Sequence, residues 1–150
     1  MKIIFLIFFI VLSFFLMFKA SAMIEKKRLM IFYGVGMVLT ILLFIISPAI
    51  VFGISKVITI DHNEIDKVLK ALFLSFLCLF FLNLFILLVV ENLINFLTGF
   101  HQANNQVNLN RSPIRTVIEN KSRILTFVKI VFFILGQCLP YYGIWIGSYK

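Results

Sequence analysis

Charged side chains are scarce in this sequence: 13% of its 150 residues are Asp, Glu, Lys or Arg, whereas 62% are hydrophobic. A soluble domain of this length is about a quarter charged and about half apolar. A water-soluble core cannot enclose that much apolar surface, but the hydrocarbon of a bilayer can act as its solvent. The composition therefore excludes an ordinary soluble domain and predicts a single transmembrane domain over residues 1–150.

Side chains that carry chemistry are also few, with two Cys and two His in the chain. Cys78 and Cys138 both lie inside apolar stretches, without CxxC spacing or a nearby His, so we interpret them as packing residues. Intramembrane hydrolases and transferases need paired acids, a Ser or Cys with a base, or clustered metal ligands. The sequence shows none of these sets, and we therefore expect no enzymatic activity, no cofactor and no metal site.

Four apolar runs organise the chain. The central run, Ala71–Val90, has about twenty uncharged residues and ends at Glu91, which is the length that a helix needs to cross the ~30 Å hydrocarbon core of a bilayer. The pattern predicts an all-α integral membrane protein, an antiparallel four-helix transmembrane bundle. The expected helices are residues 3–24, 29–54, 62–100 and 113–147, with a polar loop at 101–112.

Three of these helices have distinctive features. Pro48 should kink the second helix, because proline removes a backbone donor and its ring clashes with the preceding turn. The third helix should be about 55–60 Å long at 1.5 Å per residue, so its last turns should project beyond the bilayer. The first run resembles a signal peptide, with Lys2 before it and Ala20-Ser21-Ala22 after it. We expect it to remain as a helix, because cleavage would release the basic residues 26–28 on the outer face.

Two polar connectors contain helix-start signals. Asp61 followed by Glu64 has the spacing of a capping box at the start of the third helix. With His62 and Asp66 these residues could also be read as metal ligands, but the cap already accounts for two of them. Ser112-Pro113 predicts the start of the fourth helix, because proline is favoured at the first helical position.

The basic residues lie beside the helix ends. Nine of the fourteen fall in or next to the connectors at residues 19–28 and 101–123. By the positive-inside rule these two loops are cytoplasmic, and both termini lie outside a cytoplasmic membrane. Because the net charge of +8 is divided among helix ends, it predicts contact with the bilayer and no nucleic-acid binding.

Glu91 and Lys129 are the two ionisable residues expected at membrane depth, where a charged group is costly to hold. Both lie near the cytoplasmic end of their helices, at matching depths. We therefore expect an interhelical Glu91–Lys129 pair that fixes the register of the third and fourth helices. The alternative is a water-lined vestibule in which Glu91 binds or relays a cation.

A polar stripe begins at Glu91 and continues through Asn95, Thr98 and Gln102, which share its helix face. Deeper in the membrane, Asn83 could form a hydrogen bond with Gln137 of the fourth helix. The stripe indicates either polar contacts that hold the bundle together or the lining of the vestibule.

Gly136, Gly143 and Gly147 lie on one face of the fourth segment, and small residues at such spacing permit close approach of two helices. That face could contact an internal neighbour or a second copy of the protein. The aromatic residues at the same end of the segment predict a belt at the membrane–water interface; they are Tyr141, Tyr142, Trp145 and Tyr149.

These features favour a small non-catalytic membrane protein. It would act through helix–helix contacts as an accessory, regulatory or protective (immunity-type) partner of another membrane protein, or as a homo-oligomer. The alternative function is a small oligomeric channel, a holin-like pore or a transporter subunit that uses Glu91.

Overall fold

The computed structural model describes residues 2–55, 62–104 and 114–147. Within these ranges all regular secondary structure is helical. Four of the helices are long and apolar enough to span a membrane. The all-helical fold class and the four apolar spans that the sequence predicts are therefore confirmed for this part of the chain.

The described helices are α1 (Lys2–Met23), α2 (Lys26–Ser55), α3 (His62–Asn104), a short α4 (Ile114–Glu119) and α5 (Lys121–Trp145). The apolar spans α1, α2, α3 and α5 contain 22, 30, 43 and 25 residues, and each exceeds the roughly 20 residues that a crossing needs. The excess is largest in α3.

The fourth predicted helix differs most from expectation. It is divided at Asn120, whose φ of −101° and ψ of 16° leave the helical region. Two backbone bonds keep the pieces aligned: Asn120 N–H donates to Thr116 O at 3.0 Å, and Ile124 N–H donates to Asn120 O at 2.9 Å. Asn favours such breaks, because its side chain competes for backbone hydrogen bonds. The predicted start at Ser112-Pro113 and the Asp61 cap lie outside the described residues.

The second helix is α-helical from Lys26 to Ser55, with Pro48 inside it. A kink at Pro48 stays a prediction. The unpredicted feature lies in the other three spans, each of which contains a π-helical stretch: Phe15–Ala20, Ile86–Val90 and Phe132–Cys138. A π-helical turn adds a residue and rotates all later side chains by about 100° relative to an ideal α-helix.

An aromatic core occupies the end of the molecule where α1 begins and α5 ends. Tyr141 and Trp145 are buried there with Phe9, and the Trp145 ring stacks on Phe5 with centroids 4.8 Å apart. The assignment of Tyr141 and Trp145 to an interfacial belt is therefore wrong. Tyr142 is exposed, and Tyr149 lies outside the described residues. Both buried residues find hydrogen-bond partners inside the protein, which removes the advantage of placing their polar atoms at the interface.

Ion pairs and ring contacts link neighbouring helices at several points along their length. Along α2 and α3 the contacting pairs are Lys26–Glu91, Phe32–Phe80 and Phe44–Phe73. Along α1 and α5 they are Phe5–Trp145, Phe9–Tyr141 and Phe18–Phe133. A second buried cluster, at the end where α1 leads into α2, contains Ala20, Leu29, Tyr33 and Leu87.

Candidate functional site

The Glu91 carboxylate lies between two lysines. Lys129 Nζ is 2.9 Å from Glu91 Oε1, and Lys26 Nζ is 3.4 Å from Glu91 Oε2. The Glu91 and Lys129 side chains are 14% and 12% exposed, whereas Lys26 is 38% exposed. One carboxylate thus joins α2, α3 and α5, and the structure brings together the two residues that the sequence pairs.

Each of the three charges lies at a junction in its helix. Lys26 is the first residue of α2, and Glu91 directly follows the π-helical stretch of α3. Lys129 lies shortly before the π-helical stretch of α5, which begins at Phe132. Sequence reasoning missed Lys26, because it was assigned to the first connector rather than to the helix. Its position at the start of α2, level with the end of the apolar run of α3, was the available signal.

The cluster of Lys26, Glu91 and Lys129 carries one net positive charge. Lys26 also donates to Asn92 Oδ1 at 2.9 Å, and Asn92 Nδ2 donates to Leu88 O at 2.8 Å. Glu91 therefore faces two cations at once, and removal of either lysine would still leave it one counter-charge. Removing one partner of a partly buried ion pair is strongly destabilising, because the other charge is left without a counter-charge. The cluster therefore stabilises the packing of the three helices.

The polar stripe beyond Glu91 is not gathered into one site. Asn95 and Gln102 are exposed. Thr98 is buried, and its hydroxyl donates within α3, to Ile94 O at 2.9 Å and Asn95 O at 3.0 Å.

The expected Asn83–Gln137 hydrogen bond is not formed, and that prediction is wrong. Asn83 Nδ2 donates to Leu79 O of its own helix at 2.8 Å. Gln137 has no exposed surface, yet neither its Nε2 nor its Oε1 has a hydrogen-bond partner among the described residues. Gln137 lies in a π-helical stretch, where a prediction from ideal helix geometry places side chains on the wrong face.

Two buried hydrogen bonds between helices were missed by sequence reasoning. Ser13 Oγ and Tyr141 Oη are 2.8 Å apart, and Trp145 Nε1 donates to Ser75 Oγ at 3.0 Å. The signal was the presence of single serines in apolar runs, opposite an aromatic residue that needs a partner when buried.

The three glycines of α5 and the residues after it have different surroundings. A Cβ added at Gly136 would lie 3.0 Å from Leu82 Cδ1, so this glycine permits the close approach of α3. A Cβ at Gly143 or Gly147 would meet nothing within 4 Å. Because α5 ends at Trp145, Gly147 lies beyond the helix, and a shared small-residue face of these glycines stays a prediction.

A small cavity of about 10 Å³ lies beside the charge cluster, between apolar residues and the polar groups of Ser21, Tyr33, Asn83 and Lys129. That volume suits about one water molecule. Outside the apolar spans, the hydrogen bond that Arg115 Nε donates to the Glu119 carboxylate raises the pKa of the Arg115 guanidinium. Across the described ranges no group of three His, Cys, Asp or Glu residues has metal-binding geometry.

No protein-family model, no curated protein sequence and no solved structure matches this chain.

Proposed function

We propose that this chain is a non-catalytic, multi-pass protein of the cytoplasmic membrane that binds another membrane protein, or a second copy of itself, through helix–helix contacts. Its four spans form an antiparallel bundle with a bend at Pro48. Both termini lie outside, and the loops at residues 19–28 and 101–123 are cytoplasmic. Its role is that of an accessory, regulatory or protective partner.

The observation that carries this proposal is the double pairing of Glu91 with Lys129 and Lys26. A carboxylate that carries cations across a membrane must be available to them, whereas Glu91 already faces two ammonium groups. The interhelical bonds Ser13–Tyr141 and Trp145–Ser75 likewise use polar groups within the bundle. These polar groups hold the helices in place, which supports a scaffold with apolar outer faces.

The outer face of α5 is the surface that we assign to the partner. Leu135, Leu139 and Tyr142 are each more than half exposed on it. Beside them, a Cβ at Gly143 would meet open space. In lipid, close packing at small residues is a main source of helix association, so a partner helix could approach the α5 backbone at Gly143.

The test places a photo-reactive amino acid at Leu139 in native membranes, with Ile45, an exposed residue of α2, as the control position. We expect a discrete protein adduct from Leu139 alone. Gly143→Leu should abolish the adduct, while Gly53→Leu, at an equally open site on α2, should not. A chain that purifies in mild detergent as a monomer and gives no protein adduct from Leu139 would contradict the proposal.

The alternative function is a small oligomeric channel, pore or transporter subunit that uses Glu91. Two observations favour it: the small cavity between Asn83 and Lys129, and the unpartnered amide of Gln137. It predicts ion flux through reconstituted wild-type protein that Glu91→Gln abolishes without loss of folding. Unchanged flux in that variant would remove the idea.

A further inference from the structure

An apolar groove runs along the outside of α2 where it packs on α3. It has a volume of about 500 Å³, and it extends along α2 from Ile31 to Leu43. Phe76 and Phe80 of α3 form the other wall. Of the residues that line it, Thr40 is the polar one, and its hydroxyl donates to Gly36 O of its own helix at 2.7 Å. The groove therefore offers a ligand only apolar surface.

The floor of the groove depends on one glycine. A Cβ at Gly36 would come within 2.7–2.9 Å of the Phe80 ring, so the ring lies directly on the α2 backbone. Phe80 in turn packs against Phe32 and Phe76, with centroids 5.7 Å and 6.1 Å away. These contacts fix the ring in place, and the groove is part of the folded bundle.

Positive charge lies at the mouth of the groove. Lys27 precedes Ile31 by four residues and Val35 by eight, which places it over the groove one helical turn nearer the membrane boundary. Lys27 is exposed and forms no ion pair with any described residue. Arg28 beside it is also exposed, and it pairs with Glu25 at 3.3 Å.

The length of the groove matches one leaflet. Leu43 follows Ile31 by twelve positions, which is about 18 Å at a helical rise of 1.5 Å per residue. Half of the hydrocarbon core is about 15 Å thick. An acyl chain laid in the groove would thus extend from the boundary to the bilayer centre, with its headgroup beside Lys27. A partner helix would not need a cation at this end, nor would it stop at mid-membrane.

We propose that the α2–α3 groove is a binding site for one anionic phospholipid, with an acyl chain between Val35, Leu39 and Phe80 and the headgroup phosphate at Lys27. This site is independent of the partner surface on α5. The site would hold one lipid molecule against the bundle, in the bilayer leaflet on the side of the first connector.

The experiment measures by native mass spectrometry how much phosphatidylglycerol the detergent-purified protein retains, with phosphatidylcholine as the neutral competitor. Wild type should retain one phosphatidylglycerol in preference to phosphatidylcholine. Lys27→Gln should lower retention about fivefold, the effect of roughly one surface charge. Lys19→Gln removes an exposed cation at the same end of the molecule and should leave retention unchanged.

A second pair of variants tests the groove itself. Val35 and Val38 are both 53% exposed on α2, but only Val35 lines the groove. Val35→Trp should therefore abolish retention, while Val38→Trp should not. Helicity and thermal stability, measured for both, distinguish a blocked groove from a misfolded chain.

Three outcomes would overturn the proposal. The first is equal retention of phosphatidylglycerol and phosphatidylcholine by the wild type. The second is an equal change in retention for Lys27→Gln and Lys19→Gln, or for Val35→Trp and Val38→Trp. The third concerns a photo-reactive residue at Leu39, which should form adducts of lipid mass; adducts of protein mass would show that a partner helix occupies the groove.

Discussion

The unpartnered amide of Gln137 leads to an unusual prediction: its replacement by a nonpolar residue should stabilise the protein. Gln137 is fully buried, and both polar atoms of its side chain lack a partner within the described part of the chain. Gln137→Met keeps the length and approximate volume of the side chain and removes both groups. Swaps of this kind usually change packing energy by less than about 1.5 kcal/mol.

The magnitude follows from the desolvation of the amide. Leaving a buried donor or acceptor unsatisfied costs about 1–3 kcal/mol. Hydrogen bonds inside membrane bundles are worth somewhat less, about 0.6 kcal/mol on average, because the unfolded state in lipid also finds partners. We therefore expect Gln137→Met to raise the free energy of unfolding by about 1 kcal/mol, the low end of that range.

The assay is reversible unfolding of detergent-solubilised protein, followed by helicity and Trp fluorescence. Gln102→Met is the matched control, because Gln102 is exposed on α3 and its replacement should change stability by less than about 0.5 kcal/mol. If Gln137→Met instead destabilises the protein by about 1 kcal/mol or more, the amide has a partner in the folded state and the reasoning is refuted.

Two further predictions follow from the packing. Ser13→Ala and Tyr141→Phe should each lower the free energy of unfolding by about 1 kcal/mol. The double variant should lose less than the sum of the two, because both substitutions remove the same 2.8 Å hydrogen bond. Strictly additive losses in the same unfolding assay would contradict this. Gly36→Ala should destabilise by about 1–3 kcal/mol through collision with the Phe80 ring, whereas Gly34→Ala, at a site with nothing within 4 Å, should stabilise by up to about 1 kcal/mol. Equal effects in thermal unfolding would show that the ring does not constrain the backbone.

The helices were predictable because their signal is local. Long runs such as Ala71–Val90 have few alternatives in a chain this apolar, and the length of each run set the helix within a few residues. The positions of Glu91 and Lys129 relative to the ends of their apolar runs could likewise be derived from the sequence. Their closeness then followed from the cost of holding either charge alone in lipid.

Interior contacts were less predictable, because they depend on the exact phase of each helix. The π-helical stretches of α1, α3 and α5 rotate the side chains that follow them about the helix axis. No residue pattern in the sequence predicted these stretches. This is why Gln137 was paired with Asn83. Tyr141 and Trp145 were assigned to the lipid interface for a different reason: the serines that bind them lie 128 and 70 residues away in the chain, where no local pattern connects them.

Charges at membrane depth hold the helices together in this account, and a double-mutant cycle tests that claim most directly. Stability in mild detergent is measured for wild type, Glu91→Gln, Lys129→Met and the double variant. Glu91→Gln leaves two lysines without their counter-charge and should lower the free energy of unfolding by about 2–4 kcal/mol. Lys129→Met should lower it less, because Lys26 Nζ still lies 3.4 Å from the Glu91 carboxylate.

The double variant should recover most of the loss caused by Glu91→Gln, since no strongly buried charge then remains unpaired. A coupling energy of about 1–3 kcal/mol between Glu91 and Lys129 is the predicted result. Additive losses, or a neutral Glu91→Gln variant, would contradict the account and show that Glu91 is kept charged for another purpose.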